Sequence, residues 1–281
     1  MAVSLGLLVW LGQRFSASEA MALLQTARPE WLLIAVVLAP VQVVLGALRW
    51  HRISLQLGMP MGRRHAVEEY GLGVVLNQVL PGGVAGDAVR VWRHKRGHGA
   101  LGAPLRAALV DRLLGHWAHL VYTVAGVGLW SVVHGSEAPA GAVPGLAIWC
   151  GAFALVAWKP PPGLRTMMAD ARTAVTRGTD WVFHAGISAL LVAALLMSFA
   201  CCALALGVPV GWSAVTAVPL MLLAMVVPIS VGGWGLRELS AVVLLTTVGW
   251  TSTQAIAASA AFGLANLLGS APFIGVLGRS S

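Results

Sequence analysis

The sequence predicts an all-α polytopic membrane protein, with about six transmembrane helices and two re-entrant or broken helical hairpins. Three observations carry this reading. Of 281 residues, 58% are hydrophobic and only 10% are charged, and the mean hydropathy is +0.82; a soluble domain carries about 25% charged residues. Apolar runs long enough to cross a bilayer alternate with short basic segments. Two of those runs are interrupted by Pro and Gly in closely similar patterns. The composition excludes a soluble enzyme, a disordered chain and collagen. The formal net charge of +8 is read as basic loops on the cytoplasmic side, not as a nucleic-acid surface. The whole chain, 1–281, is read as a single integral membrane domain.

The elements follow in order. Met1 to Leu11 is apolar but short of the ~20 residues a span needs, and is read as a short first helix. Glu19 to Glu30 is expected to be a polar connection. Trp31 to Leu48 is a span closed by Arg49-Trp50-His51-Arg52, an aromatic-basic group suited to the membrane interface. Ala66 to Leu80 runs into Pro81-Gly82-Gly83. Basic residues flank it on both sides: Arg49, Arg52, Arg63 and Arg64 before it, Arg90, Arg93, Lys95, Arg96 and Arg106 after it. An excess of Arg and Lys marks the cytoplasmic face, so this segment enters and leaves by one face, as a re-entrant hairpin. Broken backbone at such depth is tolerated only inside protein or at a cavity.

Ala107 to Val133 is a long span. The loop His134 to Gly145 lacks Lys and Arg and is expected outside; Leu146 to Trp158 returns. Lys159 to Arg177 is basic and cytoplasmic, with an amphipathic interfacial helix around Leu164 to Trp181. From Trp181 to Gly278 the chain has one charged pair, Arg237-Glu238. Phe183 to Leu206 and Ala255 to Leu277 are spans. Val215 to Pro228 and Gly235 to Val248 are two arms around a break. The three cysteines, Cys150, Cys201 and Cys202, lie in apolar stretches and are read as core residues.

The two breaks align. Leu80-Pro-Gly-Gly-Val-Ala-Gly-Asp-Ala-Val-Arg90 and Val227-Pro-Ile-Ser-Val-Gly-Gly-Trp-Gly-Leu-Arg237 share Pro, Val, Gly and Arg, with nine positions from Pro to Arg in each. In each, a helix stops at Pro, glycines unwind the backbone, and a new helix begins with an Arg in its first turns. Paired interruptions in corresponding halves point to a transporter binding site. The halves are about 31–133 and 183–278. With the first hairpin entering from the cytoplasmic face and the second from outside, they form an inverted repeat.

Several groups could carry chemistry. Arg237-Glu238 lies in the most apolar part of the chain, where a charge costs ~2.5–3.5 kcal/mol. It is either a structural ion pair or part of a headgroup or ion site with Ser230, Gly232 and Gly233. Glycine backbone at a helix start beside an Arg fork suits an anionic phosphate. Asp87 and Arg90, three apart on one helical face, are the counterpart, with Asn77 and Gln78 before the break as sources of neutral hydrogen bonds; surface charge is the alternative reading. Asp111-Arg112 opens the long span, and Arg112, His116, His119 and Thr123 follow on one face. That stripe is read as cavity lining, as a proton relay, or as a metal site lacking evident third and fourth ligands. No catalytic residue, metal or cofactor is assigned, and there is no Walker A sequence.

The stretches Asn77 to Arg90, Asp111-Arg112 and Val227 to Glu238, with Arg49-Trp50 before them, resemble the lysylphosphatidylglycerol synthase transmembrane (flippase-like) family over about Trp31 to Leu277. The family commonly has Glu-Arg where this chain has Asp111-Arg112. The chain stops soon after its last span, so the resemblance implies a stand-alone member lacking the soluble synthase domain. It further implies a non-enzymatic lipid translocase, moving an anionic phospholipid or lipid-linked precursor between leaflets of the bacterial inner membrane. The partners implied are membrane lipids and lipid-biosynthesis enzymes. The alternatives are a non-catalytic accessory or scaffold of lipid or glycolipid biosynthesis, and a headgroup-transfer enzyme using Asp111, His116 or His119.

Overall fold

The computed structural model describes residues 2–15, 17–80, 83–95, 102–134, 147, 151, 162–223, 225 and 230–278. Among them 86% are helical and none is in a strand, as the composition requires. The helices are α1 (Ala2–Arg14), α2 (Ala17–Gln25), α3 (Pro29–Gln56), α4 (Arg63–Val79), α5 (Ala85–Lys95), α6 (Gly102–His134), α7 (Pro162–Thr176), α8 (Asp180–Ala205), α9 (Trp212–Leu223), α10 (Leu236–Leu245) and α11 (Ser252–Ser270). A 3-10 segment, Ala271–Gly278, extends α11. Among the described residues, three helical stretches are long and apolar enough to cross a membrane: Pro29–Gln56, Asp180–Ala205 and Ser252–Gly278.

The frame is the antiparallel pair α3 and α8. Pro29 sits in the first turn of α3, where its missing N–H costs nothing, and the Arg28 N–H donates to Ala205 O at the far end of α8 (2.8 Å). At the opposite end Arg52 Nε donates to Asp180 (2.9 Å). Between these ties the facing surfaces carry mostly small residues, Ala35, Ala39 and Ala47 against Ser188, Val192 and Ser198, all buried. The end with Gln56 and Asp180 is here termed end A, and the end with Arg28 and Ala205 end B.

Two broken hairpins enter this frame from opposite ends. α4 starts just beyond α3 at end A. α5 returns there, because Arg93 Nε donates to both oxygens of Glu69 (2.8 and 3.0 Å) and His94 sets its ring against Trp50 near the close of α3. α9 starts just beyond α8 at end B. α10 returns there, leading to Trp250, which stacks on Phe199 of α8 at 6.3 Å. At 1.5 Å per residue α10 rises about 15 Å, half of the ~30 Å hydrocarbon core. The two tips therefore meet near mid-depth. A β-carbon on Gly232 would stand 2.6 Å from Gln78 O, and one on Gly83 would stand 3.9 Å from Ser230 O.

α4 and α5 approach closely because Gly73 faces Gly86. A methyl on Gly86 would overlap the Gly73 carbonyl and lie 2.9 Å from the Asn77 nitrogen. Gly86→Ala is expected to destabilise the protein by about 1–3 kcal/mol, seen as a lower melting temperature in detergent. An unchanged melting curve would show that the two backbones are not in contact.

The structure corrects several expectations. Residues in the expected polar connection form α2, since Ala and Leu favour helix and Ala20 is buried in the core with α8 to α11. The helix expected over Leu164 to Trp181 stops at Thr176; Gly178, at φ +61°, turns the chain and Trp181 belongs to α8. α3 continues past Leu48 to Gln56, so Arg49 and Trp50 are not an interfacial flank but are buried at 3% and 1% exposure. Most of Leu146 to Trp158, Cys150 included, most of the loop before it, and Pro81, Gly82 and Pro228 lie outside the described residues.

Candidate functional site

Five charged side chains form one alternating chain across α3, α5 and α6. Arg49 Nε donates to Asp111 Oδ1 (2.7 Å), and its Nη1 donates to Ser188 Oγ (2.9 Å). The other oxygen of Asp111 lies 3.7 Å from Arg90 Nη1. Arg90 Nη2 donates to Asp87 Oδ1 (3.0 Å), one turn earlier in α5. Asp87 Oδ2 then accepts from Arg112 Nε (2.6 Å) and from Asn77 Nδ2 (3.1 Å). Asp87 sits in the first turn of α5, where the helix dipole favours a carboxylate. Asn77 Oδ1 accepts the Gly86 N–H (2.8 Å), joining the end of α4 to the start of α5. Arg112 Nη2 donates to Gly83 O (2.8 Å), which ties α6 to the first tip.

The chain runs from buried to open. Arg49, Arg90 and Asp111 are 1–3% exposed, whereas Arg112 is 28% exposed. Arg90 is held between the Trp50 and Tyr70 rings, each 4.6 Å from its guanidinium. Stacking of this kind suits Arg, whose planar cation is weakly hydrated. A cavity of about 150 Å³ is lined by Arg49, Arg90, Arg112, Asp87 and Asp111, with His116 at its wall.

The second tip carries its own closed unit. Arg237 Nε donates to Glu238 and to Ser259 Oγ, both at 3.0 Å, and Ser259 Oγ donates to Glu238 Oε1 (3.0 Å). The other carboxylate oxygen accepts the Gly235 N–H (2.7 Å) and so caps α10. The Arg237 guanidinium lies over Trp234 at 4.6 Å and Phe262 at 5.6 Å. Both charges are 2% exposed. A charge at mid-membrane costs ~2.5–3.5 kcal/mol; mutual pairing and the hydroxyl offset that cost here.

Where the tips meet there is a cavity of about 260 Å³, with Gly83 of the first tip and Gly232 and Gly233 of the second in its wall. Its polar side chains are Arg112, Arg237, Tyr70, Ser270 and the carboxamides of Gln42, Asn77, Gln78 and Asn266. Leu191, Leu195, Met225 and Phe262 supply apolar surface. Among the described residues no Asp or Glu lines it. It shares Tyr70, Val74, Asn77 and Arg112 with the smaller cavity, so the two adjoin and Arg112 stands at the boundary.

The structure thus gathers Asn77, Asp87, Arg90, Asp111, Arg112 and His116 around the small cavity, and Gly232, Gly233 and Arg237 at the tip junction. Ser230 lies at the second tip, its carbonyl facing Gly83. Its hydroxyl is buried with no hydrogen-bond partner among the described residues. Glu238 stands behind Arg237, outside both cavity walls. His119 is separated from the stripe: its Nε2 faces Pro219 O of α9 at 3.1 Å, and Thr123 Oγ1 donates to the His119 carbonyl within α6. The stripe of Arg112, His116, His119 and Thr123 is therefore divided between a cavity and a helix contact. No group of three or more His, Cys, Asp or Glu is gathered for a metal among the described residues.

Sequence reasoning missed Arg49, Tyr70 and Ser259. Arg49 was hidden by its basic neighbours. Tyr70, one of two tyrosines, and Ser259, in an Ala-rich helix, carry no local signal.

A family model described as "Lysylphosphatidylglycerol synthase TM region" matches residues 1–272. No curated protein and no solved structure matches the chain.

Proposed function

The chain belongs to the lysylphosphatidylglycerol synthase transmembrane family, multi-pass membrane proteins that its name links to lipid metabolism, and from that premise we propose that it is a lipid translocase. In this reading it moves the headgroup of a phosphate-bearing lipid between leaflets while the acyl chains stay in the bilayer, without covalent chemistry. The observation that carries the reading is the tip junction. Two half-depth hairpins entering from opposite ends leave a largely apolar cavity of about 260 Å³ at mid-depth, with arginine, carboxamide and glycine groups in its wall. That volume is below the 300–1,000 Å³ of sites for drug-sized ligands, so it suits a headgroup and not a whole lipid. End A bears Arg52, Arg63, Arg64, Arg93 and Arg106, which supports a cytoplasmic orientation for that end in a bacterial cytoplasmic membrane.

Arg112 is the side chain best placed to meet a headgroup, because it is cationic, partly exposed and common to both cavities. The test is leaflet exchange of headgroup-labelled lipids in proteoliposomes, with wild type beside Arg112→Gln. Asp87 keeps Arg90 and Asn77 as partners in that variant, so the fold is expected to persist. Exchange should fall about tenfold or more, the loss of a charge-assisted contact of ~1.4 kcal/mol or greater. Equal exchange by folded variant and wild type, or none by either, would sink the reading and favour an accessory role beside lipid-synthesis enzymes.

A further inference from the structure

The α3–α8 frame holds a histidine that lines neither cavity. His184 of α8 is 1% exposed, and neither of its ring nitrogens has a hydrogen-bond partner among the described residues. The charged groups that act on it are Arg49 of α3, Asp180 of its own helix and Asp111 of α6; α7 turns the Ala174 carbonyl toward it outside hydrogen-bond geometry. A leucine would fill the same space without leaving buried polar atoms unpaired. An ionisable side chain inside a span marks a functional site by default, and proton relays are among the commonest.

His184 stands in a series. Asp180, His184 and Ser188 recur at every fourth residue, which sets them on one face of α8, and all three are buried. Asp180 opens the helix at end A, where it accepts from Gln56 and from Arg52 Nε (2.9 Å), a side chain 47% exposed. Ser188 Oγ accepts from Arg49 Nη1 (2.9 Å), and Arg49 Nε donates to Asp111 Oδ1 (2.7 Å). Each step along α8 rises about 6 Å, a gap that a proton crosses through one water. Carboxylate, imidazole and hydroxyl can each take a proton and give one up. The series thus runs from the exposed surface at end A to the buried carboxylate of the charge chain.

We propose that Asp180, His184 and Ser188 form a proton-entry path from end A to Asp111, and that headgroup movement is coupled to it. A proton from water at end A adds to the bare ring nitrogen of His184. The proton on the other nitrogen leaves through Ser188 Oγ to Asp111, and His184 ends neutral in its other tautomer. Asp111 becomes a neutral acid and no longer balances Arg49 and Arg90. The charge chain then holds one more uncompensated positive charge, which an entering anionic group offsets. Departure of that group toward the other leaflet releases the proton on the same side. One proton therefore travels with one monoanionic headgroup, and together they carry no net charge. The coupling rests on the translocase reading; the path does not.

The experiment places the full chain in phosphatidylcholine vesicles that contain phosphatidylglycerol, a trace of it headgroup-labelled, and imposes a pH difference across the membrane. A trapped pH dye follows proton entry, and the label reports the two leaflets. Wild type is expected to admit protons faster than protein-free vesicles. It is also expected to hold the label up to about tenfold unequally between leaflets for each pH unit, the ratio that one proton per headgroup sustains. His184→Asn and His184→Gln are both expected to lose proton entry and the unequal distribution. The ring makes no hydrogen bond among the described residues, so each variant should melt close to wild type, and two replacements guard against one that misfolds. His65→Asn, in the first turn of α4, is expected to match wild type. Wild-type proton entry no faster than in protein-free vesicles overturns the proposal, and so does undiminished entry in a folded His184 variant. Even exchange without proton entry would overturn it and leave the translocase reading standing. Proton entry without exchange would uphold the path and refute that reading.

Discussion

Asp111→Asn is expected to destabilise the protein by about 3–5 kcal/mol, the size of effect seen when a buried ion pair loses one partner. Asp111 is 1% exposed and is shared by Arg49 at 2.7 Å and Arg90 at 3.7 Å. Its neutralisation leaves Arg49 hydrogen-bonded to Ser188 Oγ but without the carboxylate that balances its charge. Thermal unfolding in detergent, followed by tryptophan fluorescence, measures the effect. Arg112→Gln is the internal comparison: it removes the partly exposed end of the same chain and should cost about 1 kcal/mol or less. The double variant Arg49→Met/Asp111→Leu should recover most of the loss, because a buried pair can be replaced by apolar residues of similar volume at little cost. If Asp111→Asn melts with Arg112→Gln, the charge chain is wetter than its burial implies.

How far the fold could be read in advance depends on what the membrane makes conspicuous. α3, α8 and α11 announce themselves because a long apolar run has few alternatives in a chain of this composition. The two tips could be matched because Pro, Gly and Arg at equal spacing are rare punctuation within apolar sequence. The basic flanks of the first hairpin revealed that it leaves by the end it entered. The second hairpin has no such flanks, and its direction rests on tertiary contacts, such as Trp250 against Phe199. α2 was missed because Ser, Glu and Gln suggested a connection, whereas its Ala and Leu positions pack on the core.

The site was partly legible for a similar reason. Arg237-Glu238 stands out because charge is costly there, but Ser259, twenty-one positions from Glu238, joins the pair only through the fold. Arg49 was assigned to the interface because a basic residue at the end of an apolar run ordinarily belongs there. Its burial follows from α3 running on for another two turns, with Gly115 of α6 opposite it: a β-carbon at Gly115 would stand 3.1 Å from the Arg49 guanidinium. Helical spacing placed His116 and His119 on one face, yet a face is wide enough to meet both a cavity and a neighbouring helix.

Gly232→Ala is expected to lower leaflet exchange to near the protein-free rate while leaving a folded protein. Gly232 has φ +56°, a region that costs an L-residue about 1–2 kcal/mol, and its new methyl would stand 2.6 Å from Gln78 O and 2.7 Å from Gln78 Cα. Backbone yields less readily than a side-chain end, so the tips must part, and the cavity that both of them wall would change shape. Strain and wedging can be separated. Gly249 has φ +93°, and a β-carbon there meets nothing within 4 Å. Gly249→Ala therefore carries a comparable backbone cost with no steric one, and lies away from the junction. Both variants should melt lower than wild type, by similar amounts from the backbone strain, with Gly232→Ala lower still. Only Gly232→Ala should lose exchange. Loss in both would trace the defect to general stability, and retention in both would mean that the contact between the tips is not needed to move a headgroup.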